Sequence, residues 1–181
     1  MQFALEFRAV FKRYATGVGG CLARADVLRS VDFGVAAGEA VAIAGDQGAG
    51  KSTLLLCAAG LLSVDAGEVR WFGDRSRATA VARTTYHFAG APPSIAAMRA
   101  NGAHVHLIED PTRSGEAFAR MARRIREARE HGDAVIVTTR DIACAERLAS
   151  RVFVLRAGRL DAHRRPSSRV AESDAASRIV R

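Results

Sequence analysis

Residues 45–53 constrain the fold of this chain more than any other stretch of its sequence. They read Gly-Asp-Gln-Gly-Ala-Gly-Lys-Ser-Thr and fit the phosphate-binding loop pattern G-x-x-x-x-G-K-[ST] at Gly45, Gly50, Lys51 and Ser52. Glycines allow successive backbone N–H groups to curl around a phosphate without steric clashes from a Cβ atom. The pattern therefore predicts a loop that joins a buried strand to a helix and binds a phosphate at the N-terminus of that helix.

The residues on both sides of the loop favour this interpretation. Residues 40–44 form a short apolar run, which is typical of a buried parallel strand, and residues 53–62 are predicted to be helical. Within the motif, Lys51 is expected to reach the β- and γ-phosphates, and the Ser52 hydroxyl is expected to bind Mg²⁺. The alternative is a glycine-rich turn with a chance lysine. It is disfavoured because the chain has only two lysines and one of them stands at the required position.

The length of the chain predicts one domain with an ordinary hydrophobic core, and its cysteines indicate the redox compartment. The chain has 181 residues, 49% of them hydrophobic, against a prior of about 150 residues per domain. The longest apolar run, residues 54–62, is too short to span a bilayer, and no secretion signal is evident at the N-terminus. Cys21, Cys57 and Cys144 are odd in number and widely spaced, which favours a reducing cytoplasm over a zinc site or disulfide framework.

The net charge of +8 raises nucleic acid or anionic lipid as possible partners. However, the sequence contains no basic run interleaved with aromatic residues, so nucleic-acid binding is disfavoured. An arginine-favouring genome, with charges spread over solvated faces, is sufficient to explain the excess of positive charge.

Apolar runs and alternating patterns predict the remaining elements. The predicted strands are residues 3–10, 27–35, 40–44, 68–73, 85–88, 103–108, 134–138 and 152–155, the last forming a hairpin with residues 159–160. The predicted helices are residues 53–62, 116–130 and 143–151, and glycine-rich residues 15–25 are predicted to be a loop. His104 and His106 would share one strand face. Packing against helices is favoured for them over metal binding.

Seven segments, taken in order, carry a resemblance to a known family. They are Leu5-Glu6-Phe7, Lys12-Arg13-Tyr14, Val27-Leu28, Gly38-Glu39, the phosphate-binding loop, Ala59-Gly60-Leu61-Leu62 and Gly67-Glu68-Val69. Together they resemble the first half of an ATP-binding cassette (ABC) transporter ATPase. The resemblance implies an α/β fold, namely a P-loop NTPase core with a parallel sheet flanked by helices, plus a small N-terminal antiparallel β subdomain. The site would lie at the carboxyl ends of the parallel strands.

The resemblance implies ATP and Mg²⁺ as ligands and gives Tyr14 a role. In this family an aromatic residue at its position stacks on the adenine ring, whereas the alternative is an ordinary half-buried tyrosine at a strand end. The predicted nucleotide-binding residues are Tyr14, Gly45, Asp46, Gln47, Gly48, Ala49, Gly50, Lys51, Ser52 and Thr53.

The second half of the chain departs from the family pattern at the residues expected to perform the chemistry. Residues 109–112 read Glu-Asp-Pro-Thr and resemble the Walker B segment, in which Asp precedes Glu. Glu109 takes the position of the Mg²⁺-associated aspartate, and Asp110 that of the glutamate that orients the attacking water. An acidic pair that caps a helix is the alternative. Arg140 replaces the switch histidine that contacts the γ-phosphate. The resemblance thus implies Asp110, Lys51 and Arg140 as catalytic residues, and Ser52 and Glu109 as metal-binding residues.

Two further family features have no counterpart in the sequence. Ala89 stands where a glutamine is expected, and the helical subdomain with its Leu-Ser-Gly-Gly-Gln signature is missing between about residues 90 and 102. Residues 1–160 are predicted to form the nucleotide-binding domain. Residues 161–181 lack hydrophobic periodicity and are predicted to be a disordered tail.

These features predict an ABC-type subunit that binds Mg-ATP and hydrolyses it slowly or not at all. The alternatives are a non-catalytic nucleotide-binding partner of an intact ABC ATPase, a standalone P-loop phosphotransferase and a decayed remnant of a full cassette. The expected partners are an intact cassette ATPase and membrane permease subunits. Through them a cytoplasmic chain without its own membrane span would reach the inner face of the membrane.

Overall fold

The computed structural model describes residues 3–18, 21–87, 102–111 and 115–163, which form strands β1–β9 and helices α1–α4. The strands are β1 Phe3–Val18, β2 Cys21–Ala36, β3 Ala40–Ala44, β4 Ala66–Trp71, β5 Thr84–His87, β6 Val105–Glu109, β7 Ala134–Thr139, β8 Arg151–Arg156 and β9 Arg159–His163. The helices are α1 Lys51–Ala58, α2 Arg77–Arg83, α3 Gly115–Glu130 and α4 Ile142–Leu148.

The main sheet has the strand order β5-β6-β7-β3-β8-β9 and is parallel except for the last strand. Every residue of β3 and β7 is buried. Strands that are buried along their whole length arise where both faces of a parallel sheet are covered. Strand β3 lies at the centre, between β7 and β8, so the loop that follows it emerges at the middle of the carboxyl edge of the sheet.

A second sheet, antiparallel and ordered β2-β1-β4, is formed largely by the N-terminal strands. Its aromatic residues join it to the main sheet. The ring centroids of Phe7 and Phe33 lie 4.9 Å apart, and that of Phe33 lies 5.8 Å from Phe153 of β8. The predicted fold class, a P-loop core with an antiparallel β subdomain, is confirmed.

Two hydrophobic layers enclose the main sheet. One lies between the two sheets and includes buried residues of α1, such as Leu54 and Leu55. The other lies under α3 and α4, where Phe118, Ile125 and Ala128 of α3 are buried. These apolar residues recur at helical spacing, so one face of α3 packs against the core.

The structure corrects the prediction of a loop over residues 15–25. The ladder between β1 and β2 continues past Arg13 and Asp26 as far as Val18 and Cys21. Glycine disfavours strands locally, but strand formation depends strongly on context. Here each strand supplies the backbone hydrogen bonds that hold the other in an extended conformation. The two strands thus form one long ribbon.

Several element boundaries also differ from the predictions. Helix α1 begins at Lys51 and ends at Ala58, earlier than predicted at both ends. It ends early because the N–H groups of Leu61 and Leu62 both donate to Leu56 O and close the helix. Helix α4 ends at Leu148, and β9 continues to His163, beyond the predicted end of the domain.

Helix α2 was not predicted. The Ser76 side chain caps it by accepting a hydrogen bond from Ala78 N, a signal that precedes the run Arg-Ala-Thr-Ala-Val-Ala-Arg. The predictions for Ala89, for residues 90–101 and for the tail beyond residue 163 fall outside the described residues. None of the described helices has the length and apolar character needed to cross a membrane.

Candidate nucleotide-binding site

The phosphate-binding loop leaves β3 and leads directly into α1. Its last glycine, Gly50, has φ 103°, and a Cβ atom at this position would lie 2.9 Å from Val27 O. Only glycine fits this conformation and this close approach of the backbone. No side chain in the described part of the chain caps the N-terminus of α1, so the first N–H groups of the helix are available to an anion.

Lys51 folds back over this loop. Its Nζ donates hydrogen bonds to Gly45 O at 2.7 Å and to Asp46 O at 2.8 Å. Burial lowers the pKa of the Lys51 ammonium, an effect that the carboxylate of Asp110 opposes and the guanidinium of Arg140 reinforces. The positive charge is therefore held by backbone oxygens at the point where the loop would enclose a phosphate.

The Glu109 carboxylate, at the end of β6, contacts two hydroxyl groups. The Ser52 hydroxyl donates to Glu109 Oε1, and the Tyr86 hydroxyl donates to Glu109 Oε2 at 2.5 Å. Ser52 comes from α1 and Tyr86 from β5, so three elements meet at this carboxylate. The contact brings together the two residues predicted to bind a metal.

Asp110 and Arg140 lie at the ends of β6 and β7. Asp110 adopts φ 37°, its N–H donates to Thr138 O at 2.8 Å, and Arg140 Nη2 lies 3.4 Å from Asp110 Oδ2. Gly45 N donates to Thr139 O at 3.1 Å, which ties the start of the phosphate-binding loop to the same edge of β7.

Tyr14 lies on β1 beside α1. Its side chain is 39% exposed, and its hydroxyl oxygen lies 3.5 Å from Thr53 Oγ1. Lys12 Nζ lies 5.8 Å from the centroid of the Tyr14 ring. The ring is therefore next to the loop and open to solvent.

The structure brings the predicted site residues together at one edge of the main sheet, around residues 45–53. Tyr86 also belongs to this site, although it was not among the predicted site residues. Its only sequence signal is its place near the end of a short strand, which does not indicate that its hydroxyl reaches Glu109.

His104 and His106 lie away from this site and are both buried. His106 Nε2 lies 3.2 Å from Asp133 Oδ2, and His106 Nδ1 lies 3.4 Å from His87 Nε2. No cluster of three or more metal-ligating residues occurs within the described ranges. Packing against helices, the favoured interpretation of these histidines, agrees with their burial.

The donor chemistry around Ser52 and Glu109 fits Mg²⁺. This ion prefers oxygen ligands, and in nucleotide sites it takes one or two of them from the protein and the rest from phosphates and water. One hydroxyl and one carboxylate at the N-terminus of a phosphate-binding helix match that arrangement.

The central strand of the parallel sheet leads through a glycine-rich loop into a helix, and acidic residues lie at the end of another strand. These features define the class of P-loop nucleotide-binding domains. The profile of the ABC transporter family matches residues 28–141, and the chain belongs to this family.

Two curated relatives illustrate the similarity. The lipoprotein-releasing system ATP-binding protein LolD of Roseobacter denitrificans is 42% identical over 81 residues, covering 45% of this chain and 34% of that protein. The hemin import ATP-binding protein HmuV of Nocardia farcinica is 38% identical over 130 residues, covering 70% of this chain and 41% of that protein. The matches thus span well under half of the length of these relatives.

A longer match is the aliphatic sulfonates import ATP-binding protein SsuB 1 of Pseudomonas fluorescens, 29% identical over 205 residues. It covers 88% of this chain and 76% of that protein. The match runs over more positions than the 181 residues of this chain, so the relative contains segments that have no counterpart here.

Solved structures share the fold at low sequence identity. The dimeric ATP-binding cassette MJ0796 bound to ADP and Pi has a TM-score of 0.66 at 19% identity and covers 90% of this chain and 100% of that chain. CbiO1 from Clostridium perfringens, part of the complex CbiONQ, has a TM-score of 0.67 at 17% identity and covers 88% of this chain and 87% of that chain. Both likenesses concern the fold.

Proposed function

We propose that this chain is an ATP-binding subunit of the ABC type that binds Mg-ATP and hydrolyses it slowly or not at all. The observation that carries the proposal is the contact between the Ser52 hydroxyl and Glu109. It joins the end of the phosphate-binding loop to the acidic segment after β6, which is the pairing that a Mg-nucleotide site requires.

The residues of the loop divide the binding between them. The N–H groups from Gly48 to Ser52 enclose the phosphates, and Lys51 exchanges its hydrogen bonds to Gly45 O and Asp46 O for phosphate oxygens. Ser52 and Glu109 hold Mg²⁺, which neutralises phosphate charge when bound. Tyr14 supports the base.

Hydrolysis is expected to be slow because the residues that would assist it are altered. Asp110 is one methylene shorter than the family's glutamate, and it is paired with Arg140 rather than directed freely at a water. The sequence also lacks the signature motif with which one family member stabilises charge in the site of another.

The second candidate function is that of a nucleotide-binding partner that leaves catalysis to an intact cassette ATPase. The Asp110–Arg140 ion pair favours it, since two of the three predicted catalytic side chains contact each other in this pair. Because the helical subdomain that docks permeases is missing between about residues 90 and 102, we expect no ATP-driven transport by this chain with a permease alone. Transport by such a pair would exclude this candidate.

Calorimetric titration with ATP in the presence of Mg²⁺ tests the proposed function. Lys51→Ala removes a charge-assisted contact and is expected to cost about 1.5–3 kcal/mol of binding free energy. Arg120→Ala is the matched control, because it removes a positive charge from the exposed face of α3, far from the loop along the chain. Absence of binding by the wild type, or equal binding by Lys51→Ala, would reject the proposal.

A further inference from the structure

The Tyr86 side chain is fixed in a position that directs its hydroxyl at Glu109. Strand β5 pairs in parallel with β6, with Tyr86 opposite Leu107. The Tyr86 ring is half-buried and packs against the core layer between the two sheets. Its hydroxyl donates to Glu109 Oε2 at 2.5 Å, a short hydrogen bond of the kind formed to a carboxylate.

The Glu109 carboxylate is thereby held at both oxygens. The Ser52 hydroxyl donates to Oε1 and the Tyr86 hydroxyl to Oε2. When the Ser52 hydroxyl donates its proton to Glu109, the lone pairs of its oxygen remain available to a cation. Hydrogen-bond partners that do not touch the metal themselves orient the metal ligands in this way and tune the affinity of the site for the metal.

The longer side chain of Glu109 makes this contact possible. An aspartate at the same position has one methylene fewer, so it reaches Ser52 or Tyr86 less easily and cannot span the two as glutamate does. Glu109 is thus one methylene longer than the family's aspartate, and Tyr86 holds the end of this longer side chain by a hydrogen bond.

We propose that Tyr86 is a positioning residue that, through Glu109, orients the Ser52 hydroxyl for Mg²⁺ and so sets the Mg²⁺ dependence of nucleotide affinity. This inference rests on the proposed function, because it assumes that the loop binds a Mg-nucleotide.

The test measures ATP affinity by calorimetry with saturating Mg²⁺ and again with EDTA. Tyr86→Phe keeps the packed ring and removes only the hydroxyl. It is expected to weaken affinity about 10-fold with Mg²⁺, the low end of the range for loss of an outer-shell partner, and to leave affinity in EDTA unchanged. Thr84→Val is the matched control, since Thr84 lies on the same strand and its Oγ1 has no hydrogen-bond partner among the described residues. It should behave like the wild type in both conditions.

A double-mutant cycle separates positioning from a general structural effect. In Glu109→Asp the reach to Tyr86 is lost, so adding Tyr86→Phe should cause no further loss of Mg²⁺-dependent affinity. An equal loss from Tyr86→Phe in both backgrounds would overturn the inference.

The outcomes also distinguish this inference from the proposed function. If the wild type binds no ATP with or without Mg²⁺, the proposed function fails. If the wild type binds and responds to Mg²⁺ while Tyr86→Phe responds to the same extent, only the role of Tyr86 fails. Glu109→Asp alone is a second test of the inference. It should reduce the difference in ATP affinity between Mg²⁺ and EDTA as much as Tyr86→Phe does.

Discussion

Arg140 and Asp110 form an ion pair at the carboxyl edge of the main sheet, with Arg140 Nη2 3.4 Å from Asp110 Oδ2. Arg140 stands where the family has a histidine, and Asp110 where it has a glutamate. The pair therefore consists of two substitutions that contact each other. Both side chains are partly exposed, at 50% and 32%, so the pair itself contributes little to stability. Its effect is on where the two side chains point.

The first prediction is that the isolated chain hydrolyses ATP at well under about 1 s⁻¹, the low end of ordinary enzymes. Asp110 holds a water about an ångström farther away than glutamate would, and misplacement of that size costs on the order of 10²-fold. The reciprocal swap of Glu109→Asp with Asp110→Glu restores only the family's order of the two carboxylates and leaves Arg140 and the missing signature motif unchanged, so full turnover should not return.

A phosphate-release assay on homogeneous protein measures this rate, with Lys51→Ala as the background control. Turnover at or above about 1 s⁻¹ that Lys51→Ala abolishes would contradict the prediction. In that case Arg140 and Asp110 would be competent as they stand.

The second prediction concerns Tyr14. If its ring stacks on adenine, Tyr14→Ala should lose roughly 1–3 kcal/mol of binding free energy for ATP, by analogy with base–aromatic stacking in nucleic-acid sites. Tyr14→Trp should retain affinity because it keeps an aromatic face. Tyr14→Phe separates stacking from the weak contact between the Tyr14 hydroxyl and Thr53, at 3.5 Å. Equal ATP affinities of Tyr14→Ala and the wild type would show that the ring does not contact the base.

The third prediction is a pH dependence of stability that arises from His87. Burial, and then the nearby His106 and Arg124, lower the pKa of His87 to about 4. The unfolded chain binds a proton near the ordinary histidine pKa of about 6.5, whereas the folded chain does so only near 4. Protonation of His87 therefore does not reduce the free energy of unfolding above pH 6.5, and it lowers that free energy by about 3 kcal/mol as the pH falls from 6.5 to 4.

Urea unfolding at pH 7 and at pH 5 checks this contribution. His87→Gln removes the titrating group and should reduce the difference in unfolding free energy between the two pH values. His131→Gln, at the exposed end of α3, is the control and should leave that difference as in the wild type. An unchanged difference in His87→Gln would assign the pH dependence to other groups.

The fourth prediction concerns the close approach of β4 to β1. Gly67 has φ 77°, and a Cβ atom there would lie 2.1 Å from Ala9 O, so Gly67→Ala requires a shift of the backbone. It should cost more than the roughly 1–2 kcal/mol that a left-handed conformation alone costs an alanine. At Gly132, with φ 85°, an added Cβ meets nothing within 4 Å, so Gly132→Ala should pay only the conformational cost. Chemical denaturation of both variants measures the difference, and equal losses would contradict the steric argument.

The local sequence determined the phosphate-binding loop and the elements beside it. The spacing of Gly45, Gly50, Lys51 and Ser52 identifies the loop. Strand β3 is apolar throughout, and β7 is apolar over its first four residues. A buried parallel strand and a glycine turn are specified by neighbouring residues, so they are readable without knowledge of what they pack against. The family membership and the fold class followed from such local patterns.

The tertiary structure decided the features that depend on contacts between residues far apart in the sequence. The β1–β2 ribbon exists because each strand supplies hydrogen bonds to the other, which overrides the local preference of glycine for loops. The contact of Tyr86 with Glu109 joins residues 23 positions apart, and that of Arg140 with Asp110 joins residues 30 positions apart. Those distances depend on which strands become neighbours in the sheet, and strand order is a property of the packed structure rather than of any one segment.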